Sequence, residues 1–415
     1  MPGEGVEPSR AEAHGFLRPA RLPIPPSRPG GTRVAAGKVR TACTVLVLLV
    51  AAACAGSGPP SEASGPRIAF LFDGSLPDAD LVTSPALAGL ELAAREAGRF
   101  EVEPVNVGMD RDELTASLGE LGDDRGVLAA VVAPWTAPPA GAIELLAAGG
   151  VPVVTLSWAW GPPREGDGPW LSLVAGRARE AVMLLSGTAV AGPDGGGLCL
   201  AADDHATSRA LLETATELGE AAGDPEIVMA GIVEGGEAES ADAVAARIRD
   251  ARCPVLAWIG GAPVAASVMA SIPAQPTVVG TSRMKTDDGL SLATSGGRVF
   301  TVCACADVSL WTDPTTQRFV HDIQAESGAP PGPFALEAYD AGRLLAGLVQ
   351  EADETRGALA MALHDITGFT GLVETYAFAR DGTRAPESLS AGAWRAAGSR
   401  WLPDPPTGGS PSPTA

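Results

Sequence analysis

The sequence predicts an α/β protein made of two Rossmann-like lobes, each with a parallel sheet, joined by a hinge. Three observations lead there. Short apolar runs without alternation recur about every 25–30 residues, the mark of strands buried on both faces. An amphipathic segment separates each run from the next, which makes βαβ units with right-handed crossovers. The series then repeats, and a block of helices follows the second copy.

The first series opens with a strand over 67–73, ending in Asp73, Gly74 and Ser75. A helix is expected over 85–97, with Leu87, Leu90 and Ala94 on one stripe. Ser84 suits its N-cap, Pro85 its first position and Gly98 its stop. Strands at 100–107, 127–133 and 151–157 and helices at 110–121 and 138–148 complete this series. A helix over 177–190 leads to the second. Its strands fall at 198–202, 226–233, 254–259, 277–280 and 299–305. Helices at 207–222, 241–250 (Ser240 as N-cap) and 264–271 separate them. Helices over 315–327, 334–351 and 356–364 follow, then a β-like tail containing Tyr376 and Trp394. Lobe 1 is expected to take 67–172 with about 312–364, and lobe 2 to take 173–311 with about 365–402. Residues 403–415, rich in Pro, Gly and Ser, are expected to be disordered.

Upstream of the first strand the chain reads differently. Arg33, Lys38 and Arg40 precede an apolar run over 41–53. At about 13 residues it falls short of the roughly 20 that a spanning helix needs. Basic flank, short apolar core and small residues at the end form an export signal over 39–53. It closes on Val50-Ala-Ala-Ala-Cys54-Ala-Gly-Ser, which resembles a bacterial lipobox whose Cys54 carries the lipid, with Ala51 where Leu is usual. A plain secretory signal with an incidental cysteine is the other reading. Residues 54–66 then serve as a polar linker. Residues 1–38 fit either a mis-assigned start, with Val39 encoded by GTG, or a disordered extension.

Composition bounds the function. About 360 residues after Cys54 make two domains. A hydrophobic content of 46% suits a packed globular chain. A net charge of −21 argues against nucleic acid and anionic lipid as partners. The downstream cysteines are Cys199, Cys253, Cys303 and Cys305, an even number in an oxidising compartment. Cys303 and Cys305, two apart on an expected strand, point to one face, which disfavours a bond between them. Cys199 or Cys253 bonding to one of that pair remains open, and the connectivity cannot be read from sequence. A zinc site of all four is the other alternative, without any CxxC to favour it. No GxSxG, HExxH or GxGxxG occurs, so neither an enzyme nor a cofactor is expected. Gly31 to Val39 falls short of a phosphate loop in spacing and lacks Ser or Thr after Lys38.

The late part of the chain carries a resemblance. Gln317-Arg-Phe-Val followed by Ser327-Gly-Ala-Pro-Pro-Gly-Pro-Phe-Ala-Leu-Glu-Ala-Tyr339-Asp340-Ala341 is similar to a Phe-x-x-x-Tyr…Gly-x-x-Pro…Ala-Tyr-Asp-Ala segment. Phe369-Thr-Gly371…Phe378…Gly382 is similar to a Phe-x-Gly hairpin, with Glu374 in place of one glycine. Ala133-Pro-Trp-Thr136 and Val151-Pro-Val-Val-Thr-Leu-Ser157 make a third match. These segments resemble type I periplasmic binding proteins of the branched-chain amino acid (Leu/Ile/Val-binding) group, which serve ATP-driven importers. Where that family has Asp-x-x-Tyr-Gly, this chain has Asp203-Asp204-His205-Ala206-Thr207 and keeps only the Asp. The resemblance implies a small polar solute held between lobes that close about a hinge, and a membrane permease as partner.

Ligands of open parallel sheets sit beyond the carboxyl ends of strands. The expected solute site therefore draws on Ser75, Trp135, Thr136, Ser157, Trp158, Asp203 and Asp307. Thr136 precedes a helix, where free N–H groups favour a carboxylate. The resemblance gives it that role, with help from Ser157. Asp203 or Asp307 suits an ammonium group, and Trp158 or Trp160 suits stacking. Each has a plainer alternative: a cap for Thr136 and Ser157, hinge packing for the indoles, solvation for the acids. Arg283 reads as a surface charge. His205 has no nucleophile or ligand set beside it to make a base or a metal site.

Overall fold

The computed structural model describes residues 65–404 apart from 77, 109–110, 138–140, 161–168, 192–196, 223–226, 295, 307, 309–310, 352–354 and 386–391. The lipidation candidate Cys54, the signal, the linker over 54–64, the tail beyond 404 and Asp307 lie outside the described residues.

One sheet holds β1 (Arg67–Phe72), β2 (Glu101–Asn106), β3 (Val127–Val132), β4 (Val153–Thr155) and β5 (Trp170–Ser172), in the order β2-β1-β3-β4-β5. Every pairing in it is parallel. All six residues of β3 are buried, as a strand covered on both faces requires. The second sheet has the order β14-β13-β10-β9-β8-β6-β7. Its parallel part is β6 (Leu198–Asp203), β7 (Ile227–Val233), β8 (Val255–Ile259), β9 (Thr277–Gly280) and β10 (Val299–Cys303). β13 (Gly392–Ala397) and β14 (Arg400–Pro403) add antiparallel strands at its edge. The hairpin β11 (Gly368–Thr370) and β12 (Thr375–Ala377) stands apart. Two parallel sheets with helices between the strands are the predicted α/β fold.

The helices are α1 (Ala79–Ala97), α2 (Arg111–Asp123), α3 (Ala142–Ala148), α4 (Arg177–Ala191), α5 (Ala206–Ala221), α6 (Ala238–Ala251), α7 (Ala262–Ala270), α8 (Asp287–Thr294), α9 (Pro314–Ser327), α10 (Ala335–Glu351) and α11 (Arg356–Asp365). The chain crosses from the first lobe to the second after β5, returns after β10, and crosses again after α11. The returning helices pack on the first lobe. A Cβ on Gly89 of α1 would lie 2.1 Å from the Ala335 carbonyl oxygen, and one on Gly342 of α10 would lie 2.5 Å from Ala93, so small residues let these helices touch. Arg356 at the start of α11 donates to the carbonyls of Gly122 at 2.6 Å and Gly149 at 2.7 Å. One buried guanidinium thus answers the negative carbonyl ends of α2 and α3.

Several expectations change. α1 begins at Ala79 rather than Pro85, so Ser84 is no cap and Pro85 lies inside the helix. Gly98 does end it, at φ 60°, with its N–H on the Ala94 carbonyl. α6 begins at Ala238, and Ser240 Oγ accepts from the Glu234 N–H instead of capping. β5, α8 and β14 were not foreseen. The strand ends at Cys303, so Cys305 lies past it, where alternation no longer fixes its side chain. Cys303 and Cys305 are bonded to each other, with Cα atoms 5.2 Å apart, and Cys199 bonds Cys253. Both the predicted hindrance to the first pair and the mixed pairing are therefore overturned.

Candidate functional site

The carboxyl ends of the two sheets face each other, and the loops that leave them meet. From the first lobe, β1 delivers Asp73 and, on the way into α1, Asp78. β3 delivers Trp135 and Thr136, and β4 delivers Ser157 and Trp158. From the second lobe, β6 delivers Asp203 and His205, β8 delivers Gly260 and Gly261, and β9 delivers Thr281, Ser282 and Arg283.

Arg283 is the centre of this cluster. Its Nε donates to Asp78 Oδ2 at 3.1 Å and its Nη2 to Asp78 Oδ1 at 2.6 Å, a bidentate pair across the two lobes. Its Nη1 lies 2.9 Å from Asp203 Oδ2 and donates to Ser208 Oγ at 3.2 Å. The side chains of Arg283 and Asp78 are 0% and 1% exposed. Burial works to release the Arg283 proton, but Asp203 and Asp78 outweigh it and raise the guanidinium above its ordinary pKa. The expected surface charge is thus a buried one. The missed residue was Asp78: it holds the cap position before α1, yet its side chain makes no cap bond and turns to Arg283 instead.

Aromatic groups wall the cluster. Trp135 has φ 61°, a left-handed conformation uncommon for a bulky residue and a mark of functional sites. That turn carries its indole to Ser282 of the other lobe, with Nε1 donating to Oγ at 2.9 Å. The Trp158 ring meets it edge-on at 5.6 Å, and the Arg283 guanidinium lies 5.8 Å from the Trp135 ring centroid. A second cross-lobe pair joins His205 Nε2 to Asp73 Oδ2 at 2.9 Å. Burial pushes the Asp73 carboxyl up, but hydrogen bonds from His205 and Ser75 outweigh it and hold it below the usual range. His205 Nδ1 accepts from the Thr207 N–H at the start of α5, so this imidazole caps a helix and bridges the lobes.

Of the expected site residues, the cluster includes Trp135, Thr136, Ser157, Trp158 and Asp203. Ser75 is exposed and its hydroxyl donates to Asp73 Oδ1 at 2.5 Å. Ser157 Oγ donates to the Thr136 carbonyl at 2.8 Å, so these two loops are tied together. Thr136 is not a cap: α3 begins at Ala142 with Gly141 before it. Missed altogether were Asp78 and the lodging of Arg283. Glycines make the lodging possible. A Cβ on Gly260 would lie 2.5 Å from Asp203 Oδ2, and one on Gly261 would lie 3.0 Å from Asp78 Oδ2. The Gly261 N–H also donates to Asp203 Oδ2 at 2.9 Å.

Four buried polar atoms of the cluster have no hydrogen-bond partner: Thr136 Oγ1 and Trp158 Nε1 from the first lobe, Asp203 Oδ1 and Thr281 Oγ1 from the second. Buried polar groups are ordinarily satisfied, so these four, all on strand-end loops of the cluster, are free to meet polar atoms from outside. Cavities of about 210 Å³ and 590 Å³ lie elsewhere, at the amino ends of β10 and of β1 and β2. Among the described residues no cluster of three metal-ligating side chains occurs, and no helix is long and apolar enough to cross a membrane.

A family profile described as periplasmic binding protein matches residues 66–399. The chain belongs to this periplasmic binding protein family. Proteins of this family bind solutes outside the cytoplasm. Solved structures share the fold. An extracellular ligand binding receptor from Desulfohalobium retbaense aligns with 82% of this chain at 19% identity and a TM-score of 0.63. This chain spans 59% of that receptor's length. The branched-chain amino acid transporter substrate binding protein LivJ from Streptococcus pneumoniae, in complex with isoleucine, aligns over 82% of this chain and 100% of its own, at 15% identity and a TM-score of 0.62. An ABC transporter solute binding protein from R. palustris, in complex with benzoate, aligns over 82% and 95% at 15% identity and a TM-score of 0.63. No curated protein matches the sequence.

Proposed function

We propose that the protein is an extracytoplasmic solute-binding lipoprotein. It captures a small polar solute, an amino acid or a related molecule, between its lobes. It is tethered by lipid at Cys54 and hands the solute to the membrane permease of an ABC importer. The observation that carries this reading is that Thr136 Oγ1, Trp158 Nε1, Asp203 Oδ1 and Thr281 Oγ1, on strand-end loops of both lobes, are all buried and unpartnered. A hydroxyl, an indole N–H, a carboxylate oxygen and a second hydroxyl offer donors and acceptors together, which suits a solute carrying both. Relatives of the same fold hold isoleucine and benzoate. The lipid is supported by the export signal over 39–53 ending at Cys54.

A thermal-shift screen of the purified protein against amino acids, amides, sugars and nucleosides tests it. A solute at 100 times its Kd adds about 2.7 kcal/mol and raises the melting temperature. A screen without a single shift removes the transport reading. For the tether, replacing Cys54 with Ser is expected to release the protein from membranes, and retention would contradict it.

A second reading, a sensor or cell-envelope partner protein that uses the fold without transport, is favoured by one observation. Arg283 already fills the space between the lobes with the chain's own charge.

A further inference from the structure

The cleft of a two-lobed binder closes when something bridges its walls, and in this chain that bridge is a side chain. Arg283 leaves the end of β9 in one lobe and reaches Asp78 of the other, while Asp203 beside it takes the remaining edge of the guanidinium. Gly261 brings the backbone of the second lobe close to the Asp78 carboxylate of the first, where an added Cβ would lie 3.0 Å from Oδ2. The bonds of Trp135 to Ser282 and of His205 to Asp73 span the same divide.

We propose that Arg283 is a built-in occupant of the cleft, which shuts the lobes on each other without a solute. The inference rests on the cleft being the solute site. A planar cation held by two carboxylates over an indole face is the arrangement that would recognise a guanidinium or ammonium group from outside. Here the group is tethered, so it competes at high effective concentration. A zwitterionic amino acid meets Asp78 and Asp203 already paired. Its carboxylate also approaches three aspartates, Asp73, Asp78 and Asp203, which face one guanidinium and His205. Such a solute enters only when Asp78 and Arg283 part, so its apparent affinity falls with the share of molecules in which they have parted.

Small-angle scattering of the full chain, alone and with methylguanidinium, tests this on the wild type, Arg283→Ala and Asp78→Asn. The wild type is expected to be compact with no solute added. Arg283→Ala is expected to have a larger radius of gyration and to return to the wild-type value as methylguanidinium fills the vacated place. Asp78→Asn is expected to expand and not to respond, and it carries the test if Arg283→Ala fails to fold. A wild type that compacts only on adding a metabolite, or variants as compact as the wild type, overturns the proposal. Calorimetric titration with methylguanidinium and amino acids separates it from the functional reading. Arg283→Ala is expected to bind methylguanidinium at least about tenfold more tightly than the wild type, and to gain less for a zwitterionic amino acid, whose carboxylate then meets the three aspartates without Arg283. Variants that expand yet bind no metabolite remove the solute reading and leave the built-in occupant standing. A wild type that binds a metabolite, with variants that do not expand, does the reverse.

Discussion

Two buried charged regions of this protein treat charge in opposite ways. At the cleft, carboxylates from both lobes meet a cation, and Arg283 stays ionised beside Asp78 and Asp203. At the hinge, the region where the chain passes between the lobes after β5, β10 and α11, the carboxyls mostly lack one. Glu180 accepts from the Ala304 N–H at 2.8 Å and burial pushes its pKa up to about 7. Glu337 accepts from the Ala306 N–H at 2.7 Å, and burial and the nearby Glu374 push it up as well. Asp340 accepts from the Leu372 N–H and the Tyr376 hydroxyl, and burial pushes it up to about 7. Glu180 and Glu337 and their N–H partners flank the Cys303–Cys305 disulfide, where the chain returns to the first lobe. The difference teaches that the cleft is held by ion pairs that cross the lobes, whereas the hinge relies on buried carboxyls of raised pKa that fix backbone.

The largest break in this contrast is Arg283→Ala. It leaves Asp78 and Asp203 buried without a cation, and removing one partner of a buried pair costs about 3–5 kcal/mol. Chemical denaturation should show that loss, or a separate early transition as the lobes part. A variant as stable as the wild type would refute the ionic account of the cleft.

The next effect belongs to the hinge and depends on pH. Glu180 has a folded pKa of about 7 against an ordinary 4.5. The folded protein therefore binds more protons than the unfolded chain between those values. Its contribution is full below about pH 4.5 and is lost as pH rises through 7. Glu180→Gln keeps an acceptor for Ala304 and removes the titration, so melting curves from pH 5 to 8 should flatten. The difference between the two proteins is on the order of 1–3 kcal/mol, since each unit of pKa is about 1.4 kcal/mol. An unchanged pH slope would contradict it.

Smaller effects sharpen the comparison. Tyr376→Phe removes the 2.9 Å bond to Asp340 Oδ2 and should cost about 1–2 kcal/mol at the hinge, with solute binding unaltered. Trp135→Phe keeps an aromatic face but loses the 2.9 Å bond to Ser282, and should cost about 1 kcal/mol, with the effect on lobe closure rather than on the hinge. Denaturation with labels in each lobe tells these apart.

Most of the fold was legible in the sequence because parallel strands buried on both faces leave unbroken apolar runs, as β3 and β8 do. β5 and β14 are short and lack such runs, which is why they were missed. The start of α1 was misplaced because Ser84-Pro85 imitates a helix start, whereas the true N-cap, Asp78, bonds across the cleft instead of to its own helix. The strand-end rule pointed to Trp135, Thr136, Ser157, Trp158 and Asp203, which the fold brings to the facing strand ends. It missed Asp78 and misjudged Arg283, because an ion pair 205 positions apart leaves no local pattern. Asp340 of the Ala-Tyr-Asp-Ala segment binds the hairpin, not the cleft. Gly371 is required beside it, since a Cβ there would lie 2.1 Å from Asp340 Oδ2.

The most direct test is the distance between the lobes in the solute-free wild type, read by spin labels at exposed Glu144 and Glu239. A single narrow distribution that stays in place when solutes are added, and that lengthens in Arg283→Ala, is the expected result. A broad or long distribution that shortens only with a solute would show that the cleft waits open and that Arg283 does not close it.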